Sequence, residues 1–159
     1  MIRTAQPADL SAIMALEEAA FPEAERWSET SWREEFTQAD RRVLVDTDGG
    51  EVRGVITGRV VIDAADVHRI IVSKQSRRNG IGRGLLDALL AWASQTGADQ
   101  VLLEVRADNE PAIGFYHSFG FQNLSFRADY YGSGSDALVL AVSVAMPREF
   151  AAAESRWVQ

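Results

Sequence analysis

Apolar residues recur along the first quarter of the chain with the period of a helix. From about Ala8 to Ala20 they mark one helical face, at Leu10, Ile13, Met14, Leu16 and Ala20. A short strand near 2–4 precedes this helix, Pro7 suits its first turn, and Pro22 is expected to stop it. Ser28 is expected to cap a second helix that carries Trp32 and Phe36 four residues apart.

The period then changes to that of extended strands. Residues 42–46 and 52–62 are predicted to form two strands joined through Asp48-Gly49-Gly50, a good hairpin turn. Residues 67–72 are predicted to form a third strand. The sequence therefore predicts an antiparallel start to a sheet after two helices.

Helices and strands alternate in the second half. Gly82 to Thr96 is predicted to be an amphipathic helix ended by Gly97, and 110–119 a helix that stops at Gly120. Between them, Val101 to Val105 is apolar except at Glu104, the pattern of a central strand covered on both faces. Strands at about 122–128 and 136–144 close the pattern. This order predicts an α/β fold with mixed strand pairing.

Composition narrows the class of protein. The 159 residues fit one domain, with 47% hydrophobic and 25% charged residues. A net charge of −7 disfavours a nucleic-acid partner, and no apolar run is long enough to cross a membrane. The absence of cysteine excludes a cysteine nucleophile, and a cytoplasmic location is the default expectation.

A basic, glycine-containing segment stands out against this acidic background. Arg77-Arg78-Asn79-Gly80-Ile81-Gly82 lies between a predicted strand and a predicted helix, and Arg83 follows it. Free backbone N–H groups and the positive end of a helix suit an anion there. The alternative is a glycine-rich turn that only starts a helix. The segment lacks the remaining residues of a dinucleotide fingerprint and of a phosphate-binding loop with lysine.

Together with the segments around it, this motif resembles a known family. Arg77-x-x-Gly80-x-Gly82 is similar to the acetyl-CoA signature of the GNAT superfamily of N-acetyltransferases. The run from Leu103-Glu104-Val105-Arg106 to Tyr116, followed by Phe119-Gly120-Phe121, resembles a second block of that superfamily. Arg127-Ala128-Asp129-Tyr130-Tyr131 is similar to its RimI branch, the ribosomal-protein alanine N-acetyltransferases.

The resemblance implies a fold and an activity. It implies a central mixed sheet of about seven strands flanked by four helices and splayed between the fourth and fifth strands. Residues 1–145 would form this domain, with 146–159 as a C-terminal tail. The implied reaction is direct acetyl transfer from acetyl-CoA to the N-terminal amine of a protein or peptide with an alanine-type terminus, and a ribosomal protein is among the implied acceptors. A GNAT enzyme for a small-molecule amine and a non-catalytic acyl-CoA-binding module are the alternatives.

The resemblance also implies which residues contact the cofactor. The pyrophosphate would lie against the basic loop, at Arg77, Arg78, Asn79, Gly80, Ile81, Gly82 and Arg83. Backbone groups of Ile70, Ile71 and Val72 would bind the pantetheine arm and polarise the acetyl carbonyl. Asn109 would contact CoA, and the residues alone indicate that it or Asp108 caps the following helix.

Two residues are candidates for proton transfer. Burial of Glu104 in an apolar strand would raise its pKa toward the range of a general base, whereas a structural ion pair with Arg106 is the alternative. Phe115 and Phe119 are expected to face the core, and Tyr116 follows Phe115 on the next side of the helix. The resemblance implies that Tyr116 is the acid that protonates the departing thiolate of CoA. Its alternative is an amphipathic tyrosine at the core edge.

The acceptor side is less well specified. The resemblance suggests that Tyr130 and Tyr131 line the acceptor slot and bind the peptide terminus, although two aromatic residues closing the core would look the same. Residues 23–26 separate Phe21-Pro22 from Trp27-Ser28, which are adjacent in the RimI branch. The inserted residues would border the acceptor site. No metal site is expected, and His68 is expected at the surface or in a pocket wall.

Overall fold

A computed structural model describes residues 1–145, so the predicted tail 146–159 lies outside the described residues. One seven-stranded sheet has the order β1-β2-β3-β4-β5-β7-β6. The strands are β1 (Ile2–Thr4), β2 (Arg41–Asp48), β3 (Glu51–Val61), β4 (Ala64–Val72), β5 (Gln100–Arg106), β6 (Gln122–Arg127) and β7 (Ala137–Ser143). The predicted mixed sheet is confirmed: β4 and β5 are parallel, and the other neighbouring strands are antiparallel.

Four α-helices cover the two faces of this sheet. They are α1 (Leu10–Ala20), α2 (Glu29–Thr37), α3 (Ile81–Gln95) and α4 (Glu110–Ser118). One core joins α1 and α2 to β2–β4 around Ile13 and Trp32, and the other joins α3 and α4 to the sheet around Leu86 and Phe121. We refer to the two sides as the α1–α2 face and the α3–α4 face.

Local chemistry sets several of the element boundaries. The Ser28 side chain accepts a hydrogen bond from the Ser31 backbone N–H, as expected of an N-cap. Gly49 and Gly50 both adopt positive φ, as a two-residue hairpin turn requires. The strand expected from 67 begins at Ala64, because β3 turns back at 62–63 and Ala65 pairs with Val60. The weak strand propensity of Ala-Ala-Asp concealed this start.

The environments of two predicted side-chain patterns differ from expectation. β5 is not covered on both faces, because Val101, Leu103 and Val105 are buried whereas Leu102, Glu104 and Arg106 are half-buried. Tyr116, not Phe115 or Phe119, is the buried aromatic residue of α4. Phe115 and Phe119 lie half-exposed beside it, so the core-facing direction of the helix is turned by about one residue (roughly 100°).

The sheet opens between its two parallel strands, as the resemblance implied. β4 and β5 pair only at their beginnings, where Ala64–Asp66 lies beside Gln100–Leu102. Beyond that point β5 pairs with β7 alone, and β4 pairs with β3 alone. From Val67 onward one edge of β4 therefore carries backbone groups that no strand within residues 1–145 pairs. Among the helices of residues 1–145, none is long and apolar enough to span a bilayer.

Candidate active site

The basic loop presents free backbone donors at the start of α3. Gly80 is the N-cap of this helix, adopts φ +73°, and places no side chain over the helix end. Within residues 1–145, no group accepts a hydrogen bond from the backbone N–H groups of 79–83. Arg77, Arg78 and Asn79 are exposed beside them. Consecutive free amides, a helix N-terminus and exposed cations together form a site that suits a diphosphate.

The glycines and arginines of this loop do not all play the same structural part. Gly80 is required by its left-handed backbone, whereas a Cβ at Gly82 would make only ordinary contacts of 3.6 Å with Phe115 and Val72. The Arg83 guanidinium lies 4.6 Å from the Phe119 ring centroid and donates to Ser118 Oγ at 3.2 Å. Arg83 is thus drawn toward α4, away from the free amides.

The predicted pantetheine strand lies at the open edge of the sheet. Ile71 packs in the α1–α2 core, while Ile70 and Val72 pack against the α3–α4 core. Their side chains are therefore engaged on the two faces, and their backbone is what faces the splay. Asn109 caps α4 by accepting a hydrogen bond from the Ala112 N–H at 3.2 Å, which matches the capping interpretation. Its contact with CoA stays a prediction.

Glu104 faces the α1–α2 side of β5, beyond the point where the strands part. Its carboxylate pairs with Arg127 of β6, with 3.3 Å between Oε1 and Nη1, and the side chain is 29% exposed. The alternative partner Arg106 is wrong: this arginine pairs with Glu25 at 2.9 Å. The apolar enclosure expected around Glu104 is also wrong, because the second face of β5 is open. Glu104 is a carboxylate within reach of solvent, held by an exposed arginine.

The two adjacent tyrosines lie close to this carboxylate. The rings of Tyr130 and Tyr131 are 5.0 Å apart in an edge-on arrangement, and both are partly exposed. The Glu104 carboxylate raises the pKa of Tyr130 chiefly by hydrogen bonding to its phenol. Burial, and then the Glu104 charge, raise the pKa of Tyr131. The structure therefore brings Tyr130, Tyr131 and Glu104 together at one surface, and the tyrosines do not close the core.

Tyr116 reaches the same region from the α3–α4 core. It is 8% exposed and packs edge-on against Phe115 and Phe121. Burial, and then the proximity of Tyr131, raise its pKa to about 12. Its hydroxyl is not among the buried polar atoms left without a partner in residues 1–145. Tyr116 is thus a phenol that stays protonated at neutral pH, with its oxygen directed out of the core.

A buried ion pair beneath this surface escaped the sequence analysis. Glu17 of α1 is 1% exposed, and it accepts hydrogen bonds from Arg69 of β4 and from Trp32 Nε1 at 2.9 Å. A signal was present, since Glu17 follows Ile13 by four residues on the apolar helical face. A carboxylate at such a position requires a charged partner, and here it fixes Arg69 beside the open strand edge.

A second polar cluster lies next to it under α2. His68 has no cross-strand partner, because the β3–β4 register shifts there, and its ring contacts the buried Glu35 at 3.1 Å. Burial opposes the charge of Glu35, but hydrogen bonds from His68 and Thr57 outweigh it and lower the pKa of Glu35. His68 is therefore a half-buried partner of Glu35. No cluster of metal-ligating side chains occurs within residues 1–145.

The arrangement offers the parts of a group transfer between an anionic carrier and an amine. Free amides at the α3 terminus suit an anion, the strand edge of β4 offers unpaired backbone groups, and Glu104 offers a carboxylate that solvent reaches. Tyr116 offers a protonated phenol on the other side. A carboxylate within reach of an ammonium can take a proton, and a phenol can give one to a leaving thiolate.

Comparisons with known proteins point the same way. The model of the acetyltransferase (GNAT) family matches residues 10–121. The ribosomal protein bS18-alanine N-acetyltransferase of Escherichia coli strain K12 is 32% identical over 151 residues, covering 91% of this chain and 98% of that protein. An N-alpha-acetyltransferase of Sulfurisphaera tokodaii is 31% identical over 153 residues, which cover 88% of this chain and 90% of that protein. The crystal structure of the ribosomal-protein-S18-alanine N-acetyltransferase from E. coli superposes with a TM-score of 0.84 at 30% sequence identity. The superposition covers 92% of this chain and 95% of that chain.

Proposed function

The chain belongs to the GNAT family of acetyltransferases and is an N-acetyltransferase, and we propose that its acceptor is the N-terminal amine of a protein or peptide with an alanine-type first residue. The observation that carries this proposal is the placement of Glu104, Tyr130 and Tyr131 together on the open side of the splay. The E. coli relative is named for acetylation of an alanine of a ribosomal protein, and the S. tokodaii relative is named an N-alpha-acetyltransferase. Both names support an α-amine as the acceptor, and the first supports a ribosomal protein.

The donor in this proposal is acetyl-CoA, which supplies the acetyl group as a thioester. The residues present fit it: the amides of 79–83 and the side chains of Arg77 and Arg78 would hold its pyrophosphate. The free edge of β4 at Ile70, Ile71 and Val72 would offer backbone donors and acceptors to the pantetheine amides. Asn109 at the α4 terminus would complete the contact.

Glu104 accepts the proton of the acceptor ammonium in this proposal. An α-amino group has a pKa of roughly 7.7–8.0, so its proton is readily removed near neutral pH. A carboxylate acting through water suffices for this step. The ion pair with Arg127 orients the carboxylate, and its exposure leaves room for an amine to approach. Tyr130 and Tyr131 line the same opening, where they would contact the first residues of a peptide.

Tyr116 supplies the proton to the departing thiolate. Its raised pKa, about 12, keeps the phenol protonated throughout the physiological range. A protonated donor at neutral pH is what this step needs. The domain boundary at 145 and the cytoplasmic location stay predictions.

Mass spectrometry of short peptides incubated with enzyme and acetyl-CoA tests the proposal. We expect a mass gain of one acetyl group on the α-amine of a peptide that starts with alanine. A matched peptide with a blocked α-amine and a free lysine should gain none. Polyamines and amino acids form a parallel arm followed by thiol release. Thiol release with small amines, without acetylation of any small-residue terminus, would replace this acceptor by a small-molecule amine.

A further inference from the structure

The inserted turn of residues 23–26 is fastened to both strands of the splay, and we propose that Glu25 thereby determines which first residue the acceptor slot admits. The inference rests on the proposed function, because it concerns the acceptor of that reaction. It adds a specificity-determining residue, Glu25, which acts through Arg106 and Arg69. The expected substrate class is a peptide terminus whose first side chain is small.

Glu25 bridges the two strands that diverge. Its backbone oxygen accepts a hydrogen bond from Arg69 Nη2 of β4 at 2.9 Å. Its carboxylate accepts one from Arg106 Nη1 of β5 at 2.9 Å. β4 and β5 have no paired residues after Asp66 and Leu102. The turn therefore crosses the open part of the sheet on the α1–α2 face, the face that carries Glu104.

Each of the two arginines is itself held in place. Arg69 pairs with the buried Glu17, and its Cζ lies 3.7 Å from the Phe21 ring centroid and 5.0 Å from that of Trp27. Its guanidinium is thus fixed by an ion pair and by two aromatic rings. Glu25 is attached on this side to a rigid support.

Arg106 extends the bridge to the loop after β6. Its Nη2 donates to Ser135 Oγ at 3.2 Å, and its Cζ lies 5.6 Å from the Tyr131 ring centroid. One ion pair therefore links the inserted turn to the loop that carries Tyr130 and Tyr131. The aromatic residues on the two sides of the opening, Trp27 and Tyr131, are joined through Glu25 and Arg106.

The inserted turn on one side and the loop that carries Tyr130 and Tyr131 on the other limit the space beside Glu104. The amine must come near this carboxylate, so the first side chain of the acceptor lies between the inserted turn and the Tyr131 loop. A bridged opening with aromatic sides admits a small side chain more readily than a branched one. Size discrimination of this kind is typically worth about tenfold or more per added group in a closed pocket.

The bridge contributes little to the stability of the fold. The side chains of Arg106 and Glu25 are 38% and 45% exposed, and exposed ion pairs add little to the stability of a fold. Removing the carboxylate is therefore expected to leave the domain folded. This separates an effect on the acceptor slot from an effect on folding.

The test compares Glu25→Ala with Glu18→Ala, an exposed carboxylate of α1 that makes no ion pair within residues 1–145. The substrates are two peptides of identical body that begin with alanine or with leucine. We expect the ratio of kcat/KM for alanine over leucine to fall about tenfold in Glu25→Ala. Most of the change should come from a lower KM for the leucine peptide. Glu18→Ala should keep the wild-type ratio.

Two further measurements make the outcome specific. In calorimetry, Glu25→Ala should bind acetyl-CoA as the wild type does, and should bind the leucine peptide more tightly in the presence of CoA. Arg106→Met should give the same ratio as Glu25→Ala, and the double variant should add nothing further. Additive effects, or equal losses for both peptides, would reduce Glu25 to a structural contact and overturn the inference.

The result for the wild type separates this inference from the proposed function. If the wild type acetylates neither peptide, the proposed acceptor is wrong and the inference falls with it. If the wild type prefers alanine and Glu25→Ala keeps the same preference, the inference alone is wrong. A wild type that acetylates both peptides equally would contradict the inference as well.

Discussion

The loop at the start of α3 and the surface around Glu104 are built in opposite ways. The loop is contiguous in sequence, is exposed, and offers mainly backbone N–H groups from 79–83. The surface around Glu104 joins side chains from distant segments, including Glu25, Arg69, Arg106 and Arg127. A backbone site depends on glycine geometry, whereas a side-chain site depends on ion pairs that only the folded chain assembles.

This difference explains why a site for the cofactor can be common to a whole family, whereas a site for the acceptor is particular to one chain. A pyrophosphate is the same for every acetyl-CoA enzyme, so a short local motif suffices to hold it. An acceptor differs from enzyme to enzyme, and its surroundings here include a turn of inserted residues, 23–26. We expect substitutions in the two regions to change separate kinetic quantities.

The largest expected effect is that of Glu104→Gln. The amide keeps the shape of the side chain but cannot take the proton of the amine, so kcat should fall by about 10²–10⁴-fold. The affinity for acetyl-CoA, measured by calorimetry, should stay at the wild-type value because the loop is untouched. An unchanged acetylation rate would show that another group accepts the proton.

A smaller effect is expected at the loop, where Gly80→Ala and Gly97→Ala form a matched pair. Both glycines have positive φ, and a Cβ at either position would meet open space. A left-handed alanine costs about 1–2 kcal/mol, so both variants should lose some stability in urea. Gly80→Ala alone should weaken acetyl-CoA binding, by about tenfold, with the KM of the acceptor peptide unchanged.

Equal acetyl-CoA affinities in the two glycine variants would contradict the loop assignment. Such a result would leave the arginines as the whole binding contribution, or place the cofactor elsewhere. A change in acceptor KM in Gly80→Ala would instead show that the two regions are not separable.

The smallest expected effect on stability concerns Tyr116 at high pH. Its pKa is raised to about 12 by burial, so between pH 10 and 12 the folded chain holds a proton that the unfolded chain has lost. The stability that depends on this proton is complete below pH 10 and is lost as the pH rises through 12. Between pH 9 and 11, the unfolding free energy of the wild type should fall by about 1 kcal/mol more than that of Tyr116→Phe.

Urea titrations at the two pH values measure this difference, and parallel pH dependence of both proteins would contradict the buried phenol. The substitution also tests the acid role. Loss of the hydroxyl should lower kcat by about 10²-fold at neutral pH without changing the affinity for acetyl-CoA. Unchanged kcat would leave Tyr116 as a core aromatic residue.

The sequence predicted what depends on local pattern. Periodicity and turn residues specified the order of all seven strands and four helices, and the resemblance added the splay. Ser28 and Asn109 cap their helices as expected, since capping is decided within three residues. The start of β4 at Ala64 was missed, because Ala64 and Ala65 are extended through their pairing with β3 and not because of their own strand propensity.

Long-range side-chain partners could not be predicted in the same way. Arg106 is on the same face of β5 as Glu104, which made it the expected partner, yet Arg127 from a strand that is not adjacent occupies that place. Glu25 meets Arg106 across a sequence separation of 81 residues. The sequence predicts a core face at Phe115 and Phe119, whereas Tyr116 is the buried residue, because helical spacing alone does not tell which of two neighbouring aromatic residues points inward.

In the proposed reaction, an acetyl donor and a peptide terminus meet on the two sides of one splay. A conjugate that joins CoA through an acetyl bridge to the α-amine of an alanine-led peptide tests this directly by calorimetry. We expect the conjugate to bind about 10²–10⁴-fold more tightly than either CoA or the peptide alone, because one linked molecule satisfies both sites at once. A conjugate that binds no more tightly than CoA itself would contradict the claim.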